Sequence, residues 1–477
     1  MEFYLLLTSS TAVIILLGWL VWSRAHHFSF PLGIGLIYYW SLFGAWSIVQ
    51  DRLGGNSGKR YDYLEAKLFP IMLDGDYLMT LSLYAAFIIL IEITLLMFLK
   101  PGPLPGETIH DPIDVSQGVM LCLAVLCGLG SYALIHDYLE IADSMNLSPY
   151  MVTRGGLGEL PPYFTIHQLL NRGALLSAAI GFSILCSGGK ARLFVGTGGW
   201  AVKAGYTAVI TGLFWFSLIL GNKNELLLAG MGGVLLYLAN AWRPQLISLS
   251  LAGAVGFVGL WLVDTLRGLP LAAVAEGLQD LELSHWLEAT QFVTSSNEAF
   301  AAHFSLYGAL ALNVPLTFGD SVASLVASVI PRFAWPGRPP DIYLHYANSI
   351  GVVEGQGFTI HHATGWYLNF GFLGILIGAL FWGWVWATCY AGFHRDGLQR
   401  SRFWTLWGRV LPWMFVASIP MLIRAGFEGY KALLVEALLL PTVILLLAST
   451  DGGFCRLFRL NHARRTSLLW SERYEDD

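Results

Sequence analysis

Residues 77–99 read YLMTLSLYAAFIILIEITLLMFL, twenty-three positions with one charged side chain, Glu92. A helix that crosses a bilayer needs about 20 mostly apolar residues. Only a helix or a closed barrel satisfies every backbone polar group in hydrocarbon. The same pattern recurs on both sides of this run. Candidate spans fall at 3–23, 28–49, 77–99, 115–136, 173–188, 199–220, 225–242, 245–266, 364–388, 410–428 and 432–449. The expectation is therefore an all-α, polytopic integral membrane protein with about 11 transmembrane helices, forming a single membrane domain over residues 1–477.

Composition agrees. Of 477 residues, 55% are hydrophobic, 14% aromatic and 12% charged. Soluble chains carry about twice that share of charge. So little charge cannot cover a soluble surface, and so many apolar and aromatic residues exclude disorder. The net charge is −5, without a basic tract or zinc-finger spacing, so nucleic acid is not an expected partner. The five cysteines form no CxxC pair, and neither a disulfide framework nor a metal cluster is expected. The first apolar run lacks a basic lead, since Glu2 stands there, and Trp22-Ser23-Arg24 offers no small-residue cleavage site. It reads as a retained helix.

Lysine and arginine set the orientation. With the C-terminal tail inside, the inner connections carry Arg24, Lys100, Lys190, Arg192, Lys203, Arg243, Arg395, Arg400, Arg402, Arg409 and five tail arginines. The much longer outer connections carry the other twelve basic residues. The loop at 50–76 dissents, with Arg52, Lys59, Arg60 and Lys67 outside. Two outer connections stand out, 137–171 and 267–363. The second is the longest hydrophilic stretch, and it keeps helical periodicity near 272–289, 297–312 and 319–330. It reads as a large, partly helical extracytoplasmic loop roofing a membrane-embedded site.

Charge in a membrane span is a functional candidate. Glu92 is the clear case; Lys203 can snorkel to the interface, and Glu436 stands near Lys431 as a structural pair. Lys223, in the tight turn Gly221-Asn222-Lys223-Asn224-Glu225, and Arg424, after an apolar run that Pro412 and Pro420 should kink, fall at the outer boundary. An anionic headgroup or pyrophosphate would meet them there. The densest polar cluster is 328–371. Arg332 and Arg338 bracket Trp335-Pro336 on a proline-stiffened segment, and arginine's planar fork suits phosphate. Asp341, His345, Glu354, His361 and His362 follow as acid–base candidates. Trp335, Tyr343, Tyr346, Trp366 and Tyr367 could stack on sugars or mark the interface. The adjacent His361-His362 lacks the i, i+4 spacing of a helical zinc motif, so no metal is expected.

IPRFAWPGRP at 330–339, GVVEGQG at 351–357, Thr359 and YLNFG at 367–371 resemble the O-antigen polymerases, the oligosaccharide repeat-unit polymerases. NEAFAAHFSLYGALALNVPL at 297–316, the GNKNE turn and the arginine of LIRAGFEGY fit the same order over roughly 221–430. Two departures are visible: Lys223 stands where an arginine is common, and Gly365-Trp366 replaces an acidic residue before the YLNFG run. The resemblance implies a metal-independent glycosyltransferase, without cofactor, in the bacterial inner membrane. It would move a growing glycan from undecaprenyl pyrophosphate onto a new lipid-linked repeat unit at the outer face, building O-antigen, capsule or exopolysaccharide. Membrane lipids, a chain-length regulator and a flippase are the implied partners. Arg332, Arg338, Arg424, Lys223, Trp335, Tyr367 and His345 would bind substrate. His361 and His362, then Glu354, are the expected acid–base groups. An O-antigen ligase shares this donor and architecture; a flippase or transporter for lipid-linked glycan is the reading from another class, and would favour more charge along helix interiors.

Overall fold

The computed structural model describes residues 2–46, 75–101, 115–153, 163–186, 199–241, 246–279, 298–327, 335, 342–351, 359–393 and 402–449. Among them the chain is almost entirely helical, with two isolated β-bridges, Val115–Ser449 and Ile360–Ala425. Seven helices are long and apolar enough to cross a membrane: Glu2–Ala25, Gly75–Phe98, Gln117–Ser144, Phe164–Cys186, Trp200–Ile219, His362–Ala391 and Gly426–Ala448. Their outward faces are apolar too. On the first helix Leu5, Ile15 and Trp19 are 69%, 66% and 56% exposed, a surface suited to lipid rather than water.

The other four expected spans are helical but fall outside those seven. Residues 28–49 begin as Ser29–Tyr38 and turn π-helical over Tyr39–Phe43. Lys223–Ala241, Leu246–Leu266 and Arg402–Arg424 account for the rest. Arg402–Arg424 runs unbroken through Pro412 and Pro420. The expected 137–171 connection is shorter than its hydropathy implies. Gln117–Ser144 continues past the apolar stretch, with His136 Nε2 3.6 Å from Glu140 one turn on, and the next helix starts at Phe164. Polar residues end a hydropathy run without ending a helix.

The chain divides into two compact units. The first comprises residues 1–108, 282–394 and 418–435. Here Gly75–Phe98 packs along His362–Phe393, with glycine at the tightest point: a Cβ on Gly383 would stand 2.6 Å from Thr94 Cβ. Gly33 lies under the Trp386 ring in the same way: a Cβ on it would stand 2.4 Å from the ring. His362–Phe393 is broken at Phe370 and Gly371 (φ 62°, ψ −144°), a conformation that strains any L side chain. The break folds Trp366 onto Gly374 and Gly378. Thr317 N donates 2.7 Å to the Leu368 carbonyl beside the break. Thr317 and Ser321 hydroxyls donate to Asn369 Oδ1, at 3.1 and 2.7 Å.

Glu298–Ala311 corrects an expectation. Its hydropathy fits an interfacial turn of the roof, yet Phe300, Ala302, Phe304 and Leu306 are all buried inside this unit. Small and aromatic residues on every face give a core helix, not a surface one.

The second unit comprises residues 109–281, 395–417 and 436–477. Gln117–Ser144 and Lys223–Ala241 both pack on Phe164–Cys186. Ser183 Oγ donates 2.7 Å to the Gly233 carbonyl, and Tyr206 OH donates 2.9 Å to Gln117 Oε1. Gly221 (φ 63°) makes the GNKNE turn; any Cβ there would stand 2.7 Å from the Tyr150 ring.

Candidate functional site

Within the first unit, three stretches far apart in sequence meet: the Glu298–Ala311 helix, residues 359–366, and the end of Arg402–Arg424 with the short 3-10 helix Gly426–Glu428. Backbone pairing joins the last two. Ile360 N donates to the Arg424 carbonyl at 3.2 Å, and Gly426 N returns to the Ile360 carbonyl at 2.8 Å. Tyr343 OH donates to that same Arg424 carbonyl at 3.0 Å, and Ile342 N donates to Glu428 Oε1 at 3.2 Å. Gly426 takes φ 53° to make the turn, and Gly365 lies so near Phe427 N that a Cβ would stand 2.8 Å away.

His361 and His362 are both 0% exposed at this junction. Their tautomers follow from their partners. His361 Nδ1 accepts the Ala363 N–H at 3.1 Å, so Nε2 carries the proton and donates to Ser41 Oγ at 3.0 Å. Ser41 Oγ donates onward to the Ile37 carbonyl at 2.7 Å. His362 Nδ1 donates to the Gly426 carbonyl at 2.6 Å, and its Nε2 accepts Trp366 Nε1–H at 3.1 Å. All four ring nitrogens are engaged. The two rings face different neighbours: His361 lies 4.4 Å from the Tyr84 ring, His362 4.7 Å from Tyr430 and 4.9 Å from Trp382.

A third histidine completes the cluster. His303 Nδ1 donates to the Ser41 carbonyl at 2.6 Å, and its Nε2 accepts from Tyr77 OH at 2.8 Å. Ser305, two residues on, accepts the His361 N–H at 2.9 Å and bonds Thr364 Oγ1 at 2.9 Å. His303 and His361 lie outside the seven spans. Burial pushes His303 down to about 4, against the opposing pull of its bond to Ser41. Burial holds His361 well below the usual histidine range, with His362 and His303 adding to the shift. Both rings are thus neutral at physiological pH. His303 was not singled out from sequence; its signal was a lone polar residue in the apolar run AFAAHFSLY.

The remaining expected site residues are placed as follows. Arg332, Arg338 and Glu354 lie outside the described residues, as does Asp341. Arg424 is half-buried at the junction just described. Trp335 is exposed. Tyr367 is half-buried, its ring 5.5 Å from Phe372. His345 Nε2 donates to the Pro315 carbonyl at 2.8 Å. Lys223, in the second unit, pairs with Asp264 at 2.9 Å, and Arg267 pairs with the same Asp264 oxygen at 2.9 Å.

The second unit also holds a charge cluster that sequence reasoning missed. Arg172 reaches Glu225 at 3.0 Å through one guanidinium nitrogen and Glu436 at 2.7 Å through the other. Glu436, expected beside Lys431, takes Arg172 from another helix. Lys431 lies on an exposed face, whereas the Arg172 side chain is only 19% exposed, so less solvent screens its attraction to the carboxylate. Among the described residues no group of three metal-binding side chains occurs.

No family model matches the chain, and no curated protein or solved structure matches it either.

Proposed function

We propose that the chain is a multi-pass membrane glycosyltransferase that polymerises undecaprenyl-pyrophosphate-linked repeat units at the outer face of the bacterial inner membrane. The observation that carries this reading is the junction in the first unit. Residues 359–371 and 422–430, which resemble polymerase motifs separately, are joined there by backbone bonds at Ile360, Arg424 and Gly426, and 297–316 joins them through Ser305 Oγ, which bonds His361 N and Thr364 Oγ1. A binding scaffold gives no reason for these particular stretches to converge.

In the reaction the acceptor sugar's hydroxyl oxygen attacks the anomeric carbon of the donor glycan. The bond from that carbon to pyrophosphate breaks, lipid pyrophosphate leaves, and the hydroxyl proton passes to a base. Arg332, Arg338 and Arg424 are assigned to the pyrophosphate, where paired guanidinium donors offset the developing negative charge. His361 and His362 are already committed at both ring nitrogens. They are therefore positioning residues that hold the junction, and Glu354 is the assigned base. Such a base contributes about 10²–10⁴-fold.

The test is genetic and chemical. Removing the chain from its host and sizing the lipid-linked glycans should leave single repeat units only; an unchanged ladder refutes the reading. Full polymer from Arg332→Ala, Arg338→Ala and Arg424→Ala variants that still insert would remove the clamp. Lysine at these positions should rescue incompletely, because a point charge loses the paired geometry. Glu354→Gln should lose turnover while still binding lipid-linked substrate.

A further inference from the structure

Glu92 lies within the apolar Gly75–Phe98 helix and is 0% exposed. Neither carboxyl oxygen has a hydrogen-bond partner among the described residues. Its Oε1 points at the one place on the facing Glu2–Ala25 helix without a side chain: a Cβ built on Gly18 would stand 3.2 Å from it. The room beside Gly18 is bounded by Ile34.

Among the described residues no hydrogen-bond partner offsets a charge on Glu92. Among the described residues, the elements that pack most closely on Gly75–Phe98 are Glu2–Ala25, Ser29–Tyr38, Tyr39–Phe43, Glu298–Ala311 and His362–Phe393. Their titratable groups are Glu2, Tyr4 and Arg24; Tyr38; Tyr39; Glu298, His303 and Tyr307; and His362, Tyr367, Cys389 and Tyr390. The helix itself adds Asp76, Tyr77 and Tyr84. None of these bonds to Glu92. Arg24, the one arginine or lysine among them, is exposed and six residues beyond Gly18.

An isolated carboxylate in such surroundings costs tens of kcal/mol by simple solvation arguments, so the group takes a counter-ion or a proton instead. A desolvated metal cation takes several oxygen ligands. Here Oε1 faces Gly18, neither oxygen has a hydrogen-bond partner among the described residues, and no three metal-binding side chains gather among them. A proton needs one oxygen. We propose that Glu92 is a proton-binding site of the membrane bundle, a carboxyl kept in its acid form by the packing of the Glu2–Ala25 helix and open to modification by apolar carbodiimides.

The packing and the proton are then coupled. Losing the proton creates a charge that Gly18 and Ile34 cannot solvate, so ionisation requires the two helices to part or water to enter. The modification step balances: the acid O–H adds across a C=N bond of the carbodiimide. The oxygen bonds to carbon, the proton goes to nitrogen, and the adduct rearranges to a stable N-acylurea without a leaving group.

The experiment uses the full chain in lipid vesicles at pH 7.5. An ordinary glutamate is then protonated to about one part in 10³. In the infrared difference between wild type and Glu92→Gln, a protonated-acid carbonyl band should disappear with the substitution. Loss of an ionised-carboxylate band instead overturns the proposal. Dicyclohexylcarbodiimide on the wild-type chain needs no variant, so the test stands even if the substitution impairs folding. Mass spectrometry should find the adduct at Glu92 about tenfold above the exposed Glu140 and Glu276, a small part of the protonation difference. Adduct confined to Glu140 and Glu276 overturns the proposal. Neither readout depends on glycan transfer, so this site and the polymerase reading fail independently.

Discussion

Lowering the pH should destabilise the first unit through His303. In the folded chain this imidazole is 1% exposed, its Nδ1–H given to the Ser41 carbonyl and its Nε2 occupied by Tyr77 OH. A second proton would land on Nε2, opposing the Tyr77 donor and placing a charge where nothing solvates it. Burial accordingly pushes its pKa to about 4, against about 6.5 for an exposed histidine. The native state then binds fewer protons than the unfolded state between these values. Its stability is complete above about pH 6.5, declines as pH falls towards 4, and levels off below. At pH 5 the unfolded histidine is almost fully protonated and His303 only about one-tenth so, a loss of about 2 kcal/mol. The assay is chemical unfolding in detergent micelles at pH 7.5 and pH 5. His303→Asn keeps an N–H donor near the Nδ1 position and carries no titratable group. It should be less stable at pH 7.5, yet lose about 2 kcal/mol less than wild type on acidification. Equal losses for the two proteins would refute the reasoning.

Arg172→Ala should leave Glu225 and Glu436 without their shared cation, costing about 3–5 kcal/mol; folded yield from membranes measures it, and an unchanged yield counts against the pairing. Gly371→Ala places a side chain at φ 62° and ψ −144° and should cost about 1–3 kcal/mol, read by thermal unfolding. Gly383→Ala should separate two packed helices, because its Cβ would meet Thr94 and the Ile91 carbonyl; Thr94→Ser should recover part of the loss. Single cysteines at 280 and 470, probed on whole cells, should label at 280 and not at 470; the reverse pattern inverts the topology.

Hydropathy made the helices legible because the bilayer imposes a simple rule on twenty consecutive residues at a time. The run at 77–99 and the helix Gly75–Phe98 differ by two residues at most at either end. The same rule misjudged where helices stop. Gln117–Ser144 continues through His136, Asp137 and Glu140, where polarity marks the edge of hydrocarbon rather than the end of hydrogen bonding. It also misjudged the role of Glu298–Ala311, since an apolar helix in a hydrophilic stretch reads as surface until its neighbours are known.

From sequence alone come the class of molecule, the rough positions of its helices, and the concentration of arginine, histidine and carboxylate between 328 and 371. These depend on residues near one another in the chain, and local composition carries them. Tertiary structure alone decided the partners. Adjacent positions send His361 to Ser41 and His362 to Gly426, 320 and 64 residues away. Glu436 finds Arg172 rather than Lys431. Glu92 finds no partner among the described residues. A polar side chain in an apolar bundle takes its character from what faces it, and which helices face each other is a property of packing that no single stretch of sequence contains.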